Sequence, residues 1–193
     1  MQLIGEISTD RPLLVLAVKE EAAHLDGTLP VLLTGMGKVN AATALATALA
    51  RGPKPSSIVN LGTAGALTAG WAGSTQEIAV VIQHDLDTDL LHTLTGDTFG
   101  GPIKLAGSGT GPTLATGDTF VSESAARERL AARADLVDME GYALASVAEQ
   151  AGVPIRLVKH VSDEADEGAA RSWRESVDNC ARVLAAWART NLA

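Results

Sequence analysis

Three carboxylates of this 193-residue chain follow segments that are predicted as strands, and their placement is the first indication of chemistry. Glu21 follows residues 12–18, Asp163 follows residues 155–161, and Glu140 follows a shorter apolar run. Short segments rich in Val, Leu and Ile are typical of buried strands. Because α/β proteins bind ligands at the carboxyl ends of their strands, we expect the three carboxylates to converge on one rim of a sheet.

Carboxylates on one rim can perform several reactions. A carboxylate can remove a proton from water, donate a proton when its pKa is raised, or accept hydrogen bonds from two sugar hydroxyls. A set of three suits the hydrolysis of a neutral polar substrate better than the recognition of a phosphate. Structural interpretations remain open: Glu21 as a charge at a helix start, Asp163 as an N-cap, and Glu140 as a solvated helix start.

Other chemical motifs are weak or missing. His84, His92 and His160 show no metal-ligand spacing, so no metal site is predicted. Gly35-x-Gly37 lacks the third glycine of a dinucleotide fingerprint, and the chain has no Gly-x-Ser-x-Gly elbow. We therefore expect neither a cofactor nor a serine nucleophile.

Composition disfavours several classes of protein. The formal net charge of −8 argues against a nucleic-acid partner. The single cysteine, Cys180, cannot form an internal disulfide, and the N-terminus does not resemble a signal peptide. No apolar stretch is long enough to span a bilayer. We expect a cytoplasmic protein without a membrane partner.

Strand-like and helix-like segments alternate along the chain. Further strands are predicted at residues 30–34, 58–61, 77–83 and 113–116, and helices at residues 39–50, 122–133 and 140–150. This alternation predicts a single-domain α/β fold over residues 1–193, with a central mixed, largely parallel sheet flanked by helices. Aromatic residues make up only 3% of the chain, so the core should consist of Ala, Val, Leu and Ile.

Several local features should shape the rim. Glycine turns are expected after three strands, at Gly35, Gly62 and Gly117, because glycine lets backbone approach a ligand closely. Residues 19–25 are predicted as a helical turn, and residues 84–112 as irregular.

The last helix carries an apolar stripe that we interpret as facing the core: Trp173, Val177, Cys180, Leu184 and Trp187.

Six short motifs follow one another along the chain. They are Glu20-Glu21 after the first strand, Thr34-Gly-Met-Gly-Lys-Val39, Asn60-Leu-Gly-Thr-Ala-Gly-Ala66, Thr116-Gly-Asp-Thr-Phe-Val121, Val137-Asp-Met-Glu140 and Val161-Ser-Asp163. Taken in this order, they resemble those of the nucleoside phosphorylase and nucleosidase superfamily. The closest group by motif is the 5′-methylthioadenosine/S-adenosylhomocysteine nucleosidases. The resemblance covers most of the chain and is weakest over residues 84–112.

The resemblance implies a role for each matching position. Glu21 corresponds to the glutamate that activates the attacking water, and Asp163 to the aspartate that protonates N7 of the leaving purine. Glu140 corresponds to the glutamate that accepts both ribose hydroxyls. The other implied substrate contacts are Thr63, Ala64 and Gly65 along one segment, Phe120 against the base, Val121 at the base edge, Met139 under the sugar, and Ser162.

The activity implied by the resemblance is that of an N-ribohydrolase releasing the base of a purine nucleoside, in nucleoside catabolism and methionine salvage, as a homodimer. A phosphorylase is the main alternative, and it would need cations to hold phosphate. Residues 60–63 contain no arginine, and Lys38 is the cation that could serve. A non-catalytic nucleoside-binding protein is the second alternative. Lys159 stands where an arginine is common, which leaves the preferred 5′ substituent open.

Overall fold

The computed structural model describes residues 1–107 and 109–192, which contain ten strands and five helices. The strands are β1 (Gln2–Ile4), β2 (Leu13–Leu16), β3 (Val31–Leu33), β4 (Ile58–Ala66), β5 (Thr75–Glu77), β6 (Val80–Gln83), β7 (Ile103–Lys104), β8 (Thr113–Thr116), β9 (Leu136–Asp138) and β10 (Ile155–Asp163). The helices are α1 (Lys38–Arg51), α2 (Thr88–Thr95), α3 (Ser124–Ala131), α4 (Gly141–Ala151) and α5 (Ala169–Asn191).

Strand β4 is the centre of the sheet. It pairs in parallel with β2 through its first residues and with β10 along its length. Its last residues, Gly65 and Ala66, pair antiparallel with β9, which continues the sheet through β8, β6 and β7. The predicted α/β class, with a central mixed sheet flanked by helices, is thereby confirmed. Parallel pairing joins β2, β4 and β10, so their carboxyl ends lie at one edge.

Both faces of the sheet are covered, which explains the continuous apolar sequence of its inner strands. Leu13 and Val15 of β2 pack in the cluster that α1 and α4 complete, whereas Leu14 and Leu16 pack toward α5. Alternate residues of a strand point to opposite faces, so both sets must be apolar here. The buried residues are mostly Ala, Val, Leu and Ile, as predicted.

The turn predicted at Gly62 is wrong, because β4 continues without a break to Ala66. A Cβ on Gly62 would lie 3.2 Å from Nζ of Lys159, and one on Gly65 would lie 3.0 Å from Oδ1 of Asp163. These glycines let the strand pass close to charged side chains, a use of glycine that sequence does not distinguish from a turn.

The prediction that a helix starts within residues 19–25 is also wrong. This segment forms consecutive tight turns and no helix. The amides of Ala22 and Leu25 bond to carbonyls three residues earlier. The Asp26-Gly27 turn follows at once, and the segment is too short for a helix to propagate. Glu21 is consequently directed into the protein instead of standing at an exposed helix start.

Residues 84–112, which were predicted to be irregular, contain the helix α2. Its N-cap is Asp87, whose side chain accepts the N–H of Leu90. Gly96 ends the helix with a φ of 80°, a conformation that favours glycine. The helix buries no residue. It was not predicted because the segment around it is rich in Asp, Thr and Gly, which favour loops.

Substitutions in α1 test the placement of the core. Leu45 is fully buried, whereas Val39 in the same helix is 74% exposed. We expect Leu45→Ala to lower the free energy of unfolding by about 2–5 kcal/mol, because it removes buried methyl groups and leaves a cavity. The matched change Val39→Ala should stay within about 0.5 kcal/mol. Urea denaturation followed by circular dichroism measures both values, and equal losses would contradict this packing.

Candidate active site

A cavity of about 260 Å³ lies at the carboxyl ends of the central strands. The structure brings together all ten candidate residues from the sequence, although their individual roles remain predictions. The candidates that line the cavity are Glu21, Thr63, Ala64, Gly65, Phe120, Val121, Met139, Glu140, Ser162 and Asp163.

Glu21 is buried, and its carboxylate is held by three donors. Its Oε1 accepts the backbone N–H of Thr63 at 3.0 Å and the Oγ1–H of the same residue at 3.1 Å. Its Oε2 accepts the N–H of Ala17 at 3.2 Å. On the same turn, Nε2 of His24 lies 2.6 Å from Oδ1 of Asp178 in α5. The three donors to Glu21 fix the orientation of its carboxylate, as a general base requires.

Lys159 is a buried cation between the carboxylates of the site. Its Nζ lies 2.8 Å from Oδ2 of Asp138. Burial has the largest effect on the pKa of Lys159 and would lower it, but attraction to Asp138, Glu140 and Glu21 outweighs burial and raises the pKa. Asp138 also accepts the Oγ1–H of Thr116 at 2.6 Å and the first N–H of α4 at 2.8 Å. This network joins β8, β9, β10 and α4 beneath the cavity.

Glu140 directly precedes α4 and has the most perturbed carboxylate of the site. Its side chain is almost entirely buried, and Oε1 accepts the N–H of Gly37 at 2.8 Å. Burial, with repulsion from Asp138, raises the pKa of Glu140 to about 7, against the opposing effects of Lys159 and the Gly37 N–H. An ionised carboxylate accepts several hydrogen bonds, and two adjacent sugar hydroxyls would supply further donors.

Asp163 is the last residue of β10, and each of its carboxylate oxygens accepts a hydrogen bond. Oδ2 accepts the Oγ–H of Ser162 at 2.7 Å, and Oδ1 accepts the N–H of Ala165 at 2.9 Å. Burial raises the pKa of Asp163 in spite of these bonds. A raised pKa suits a carboxylic acid that donates a proton near neutral pH. The bond from Ala165 also makes Asp163 the cap of the turn that follows β10, whereas α5 begins only at Ala169.

Apolar side chains form the rest of the inner wall. Phe120 is 44% exposed, whereas the adjacent Val121 is buried. An aromatic ring left exposed beside a cavity is available to stack on a planar group. Met139 lies between Asp138 and Glu140 in sequence and also lines the cavity.

Sequence interpretation missed several wall residues, among them Met36 before α1, and Trp173 and Arg174 in α5. Trp173 belonged to the predicted apolar stripe, but its Nε1–H donates to Oγ1 of Thr63 at 2.9 Å. Further along the helix the stripe does face the core, with Cys180 almost fully buried. Helical spacing alone does not show where a stripe leaves the core and reaches a cavity.

The histidines contribute no metal cluster to the part of the chain described. Within residues 1–107 and 109–192, no group of three or more His, Cys, Asp and Glu side chains could hold a metal ion. His160 instead hydrogen-bonds Oγ1 of Thr75 at 2.9 Å. Among the same residues, no helix is long and apolar enough to cross a membrane.

The fold and the site define the class as an α/β protein with a carboxylate-lined cavity at the carboxyl ends of its central strands. A sequence profile of the Phosphorylase superfamily matches residues 23–109 and 110–190. Most of the chain is matched, so the chain belongs to the Phosphorylase superfamily. The resemblance drawn from the six motifs is confirmed.

Individual relatives are consistent with this membership. The chain is 36% identical over 74 residues to an aminodeoxyfutalosine nucleosidase of Helicobacter pylori, a match spanning 37% of this chain and 32% of the relative. It is 29% identical over 183 residues to a 5′-methylthioadenosine/S-adenosylhomocysteine nucleosidase of a Geobacillus species, covering 82% of this chain and 78% of that one. The crystal structure of the Helicobacter pylori 5′-methylthioadenosine/S-adenosylhomocysteine nucleosidase with butyl-thio-DADMe-Immucillin-A has a similar fold, with a TM-score of 0.81, 22% identity and coverage of 94% and 97%.

The raised pKa of Glu140 predicts a pH-dependent effect on stability. Since its pKa is about 7 in the folded protein and 4.5 ordinarily, the folded state binds more protons between these pH values, and stability decreases as pH rises through this window. Each pKa unit corresponds to about 1.4 kcal/mol, so Glu140→Gln should stabilise the unliganded protein on the order of 3 kcal/mol at pH 8. The advantage should shrink as pH falls from 7 toward 4.5.

Urea unfolding at pH 8.0, 6.5 and 5.5 measures this effect. Glu149→Gln is the matched control, because Glu149 is an exposed carboxylate on α4, and its effect should not change over this range. A Glu140→Gln advantage that is independent of pH would contradict the raised pKa.

Proposed function

We propose that this chain is an N-ribohydrolase that cleaves the N-glycosidic bond of a purine nucleoside, in the manner of a 5′-methylthioadenosine/S-adenosylhomocysteine nucleosidase. The observation that carries the proposal is the set of three carboxylates around one cavity, each in a different environment. Glu21 is held by backbone donors, Asp163 is buried with a raised pKa, and Glu140 lies beside the Gly37 amide. The relatives are consistent with this chemistry, since they are nucleosidases.

The proposed reaction adds water across the bond between C1′ of the sugar and N9 of the purine. Glu21 removes a proton from water as its oxygen bonds to C1′. The C1′–N9 electron pair passes to the purine while Asp163 delivers a proton to N7, which makes the base a better leaving group. Ribose develops oxocarbenium character in the transition state, as in other glycoside hydrolyses. The products are the free base and the ribose derivative.

The remaining wall residues position the substrate in this proposal. Glu140 accepts both ribose hydroxyls, and Met139 packs under the sugar. Phe120 stacks on the purine, and the backbone of Val121 contacts its edge. The other lining positions, Thr63, Ala64, Gly65 and Ser162, complete the wall around the sugar and base.

The engagement of two cations, Lys38 and Lys159, favours water over phosphate as the nucleophile. Nζ of Lys38, the cation considered for phosphate, lies 2.9 Å from Oε1 of Gln83 and 2.5 Å from Oδ1 of Asp85. Lys159 is buried against Asp138. A phosphorylase would need cations near the sugar that are free to pair with phosphate oxygens.

The proposal also covers the oligomeric state of the protein and its role in the cell. Leu90 and Leu94 of α2, and Phe99 beyond it, leave an apolar surface exposed, which is consistent with a homodimer. Hydrolysis of 5′-methylthioadenosine in the cytoplasm would give the enzyme a place in methionine salvage.

The first test of the proposal is the requirement for phosphate. Purified protein is incubated with a panel of purine nucleosides, with and without phosphate, and free base is measured. We expect base release at the same rate in both conditions. Strict dependence on phosphate with formation of ribose-1-phosphate would establish a phosphorylase instead, and tight binding without turnover would establish a nucleoside-binding protein.

The acid role of Asp163 can be separated from a structural role by the choice of leaving group. Asp163→Asn should lower kcat for purine nucleosides by about 10²–10⁴-fold, because the base must leave without a proton. The same variant should retain far more of its activity on 4-nitrophenyl riboside, since nitrophenolate leaves unprotonated. Glu21→Gln should reduce both reactions. Equal losses on both substrates in Asp163→Asn would contradict the acid role.

A further inference from the structure

The start of α1 contacts two carboxylates from distant parts of the chain. The backbone N–H of Gly37, the N-cap residue, donates to Oε1 of Glu140 at 2.8 Å. The N–H of Lys38, the first residue of the helix, donates to Oδ1 of Asp118 at 2.7 Å. The first amides of a helix have no partner within the helix, and they form the positive end of its dipole. Two adjacent amides therefore bind Glu140 of the proposed ribose site and Asp118, to which no role has been assigned.

Asp118 supplies the helix cap that Gly37 cannot supply. A helix usually begins at a Ser, Thr, Asp or Asn whose side chain accepts one of the first amides. Gly37 has no side chain, and its φ of 94° is a conformation that favours glycine. A Cβ at this position would lie 3.1 Å from Oδ1 of Asp118. The glycine thus lets an aspartate that is 80 residues away in sequence reach the start of the helix.

Asp118 is itself held by a third segment of the chain. Its backbone N–H donates to Oδ2 of Asp85 at 2.9 Å, and Oδ1 of Asp85 lies 2.5 Å from Nζ of Lys38. Burial alone would raise the pKa of Asp85, but the hydrogen bonds from the Lys38 side chain and the Asp118 amide lower it, so Asp85 is ionised at neutral pH. These contacts form a closed ring that joins the segments after β6 and β8 to the start of α1.

The ring connects two parts of the proposed site. Asp118 precedes Phe120, the aromatic side chain assigned to the base, by two residues. Glu140, which is assigned to the ribose hydroxyls, accepts the N–H of the residue before Lys38. Asp118 is not among the described residues that line the cavity. Its effect on a substrate is therefore indirect and passes through the segments that it holds.

We propose that Asp118 is a positioning residue for ribose recognition. It fixes the backbone at Gly37 and Lys38, so that the Gly37 N–H meets Oε1 of Glu140. That contact orients the carboxylate and sets the direction from which it accepts the two ribose hydroxyls. The segment that presents Phe120 to the base is thereby linked to the carboxylate that binds the sugar. The inference rests on the proposed function, because ribose binding by Glu140 is part of that proposal.

The test compares a nucleoside that has both ribose hydroxyls with one that has neither. Adenosine and 2′,3′-dideoxyadenosine share the base, but only adenosine has the 2′ and 3′ hydroxyls that Glu140 would accept. Calorimetry on the slow variant Asp163→Asn gives both dissociation constants, and their ratio separates recognition of the hydroxyls from recognition of the base. Adding Asp118→Ala should lower the preference for adenosine by about tenfold, which is the scale of one hydrogen bond to a charged group.

Further variants separate this role from a general effect on folding. Asp118 is exposed, and Asp118→Asn keeps an oxygen that can accept the Lys38 N–H, so this variant should retain most of the preference. Asp87→Ala is the matched control, because Asp87 also accepts an amide at the start of a helix and is not among the described cavity-lining residues. It should leave the ratio unchanged. In a protein that carries Glu140→Gln, Asp118→Ala should not change the ratio, because the carboxylate through which it acts is gone.

Two results would overturn the inference. One is an unchanged ratio in Asp118→Ala, whether both affinities fall together or neither falls. The other is a ratio that falls as much with Glu140→Gln present as without it. Failure of the proposed function is a separate result: if the wild type binds adenosine but cleaves no purine nucleoside, the hydrolase assignment fails, while the ratio still decides the role of Asp118. Binding of neither nucleoside would overturn both.

Discussion

The buried contact between Lys159 and Asp138 is the interaction on which the geometry of the cavity depends. A lysine in this position is unfavourable by itself, because burial removes its hydration. Asp138, Glu140 and Glu21 reverse that effect and raise its pKa, so the ammonium group is retained among the carboxylates. Without it, these negative charges would repel one another in a poorly solvated space. The cavity can therefore hold several carboxylates only because a cation lies beneath them.

The sheet explains how this cluster is assembled from distant parts of the sequence. Lys159 is on β10, Asp138 is on β9, and Glu21 follows β2, yet all three strands pair directly with β4. Gly62 leaves room for Lys159 and Glu21 to approach the strand between them. The backbone amides of β4 and of the β2–Glu21 turn then supply donors to Glu21. The pairing of the strands thus brings the charged side chains together, and the contacts between these side chains in turn link the strands.

Much of this arrangement was predictable from sequence, because strand ends and charged residues are local signals. The segments before Glu21, Glu140 and Asp163 are apolar enough to predict buried strands, and the resemblance of the motifs supplied the other lining positions. Long-range pairing was not predictable. Lys38 was a candidate phosphate ligand until its contacts with Gln83 and Asp85, more than forty residues away, became visible. Likewise, a glycine that permits close packing, as at Gly62, looks the same in sequence as one that permits a turn.

The division of α5 into two halves bears on how such a protein can diversify. From Cys180 to Ala188 the helix supplies buried side chains to the core, whereas Trp173 and Arg174, two turns earlier, lie at the edge of the cavity. These two cavity-lining residues therefore lie on a rigid element but outside its packed portion. A substitution of Arg174 would therefore alter the outer wall of the cavity, while the packed part of α5 and the carboxylates at the strand ends stay in place.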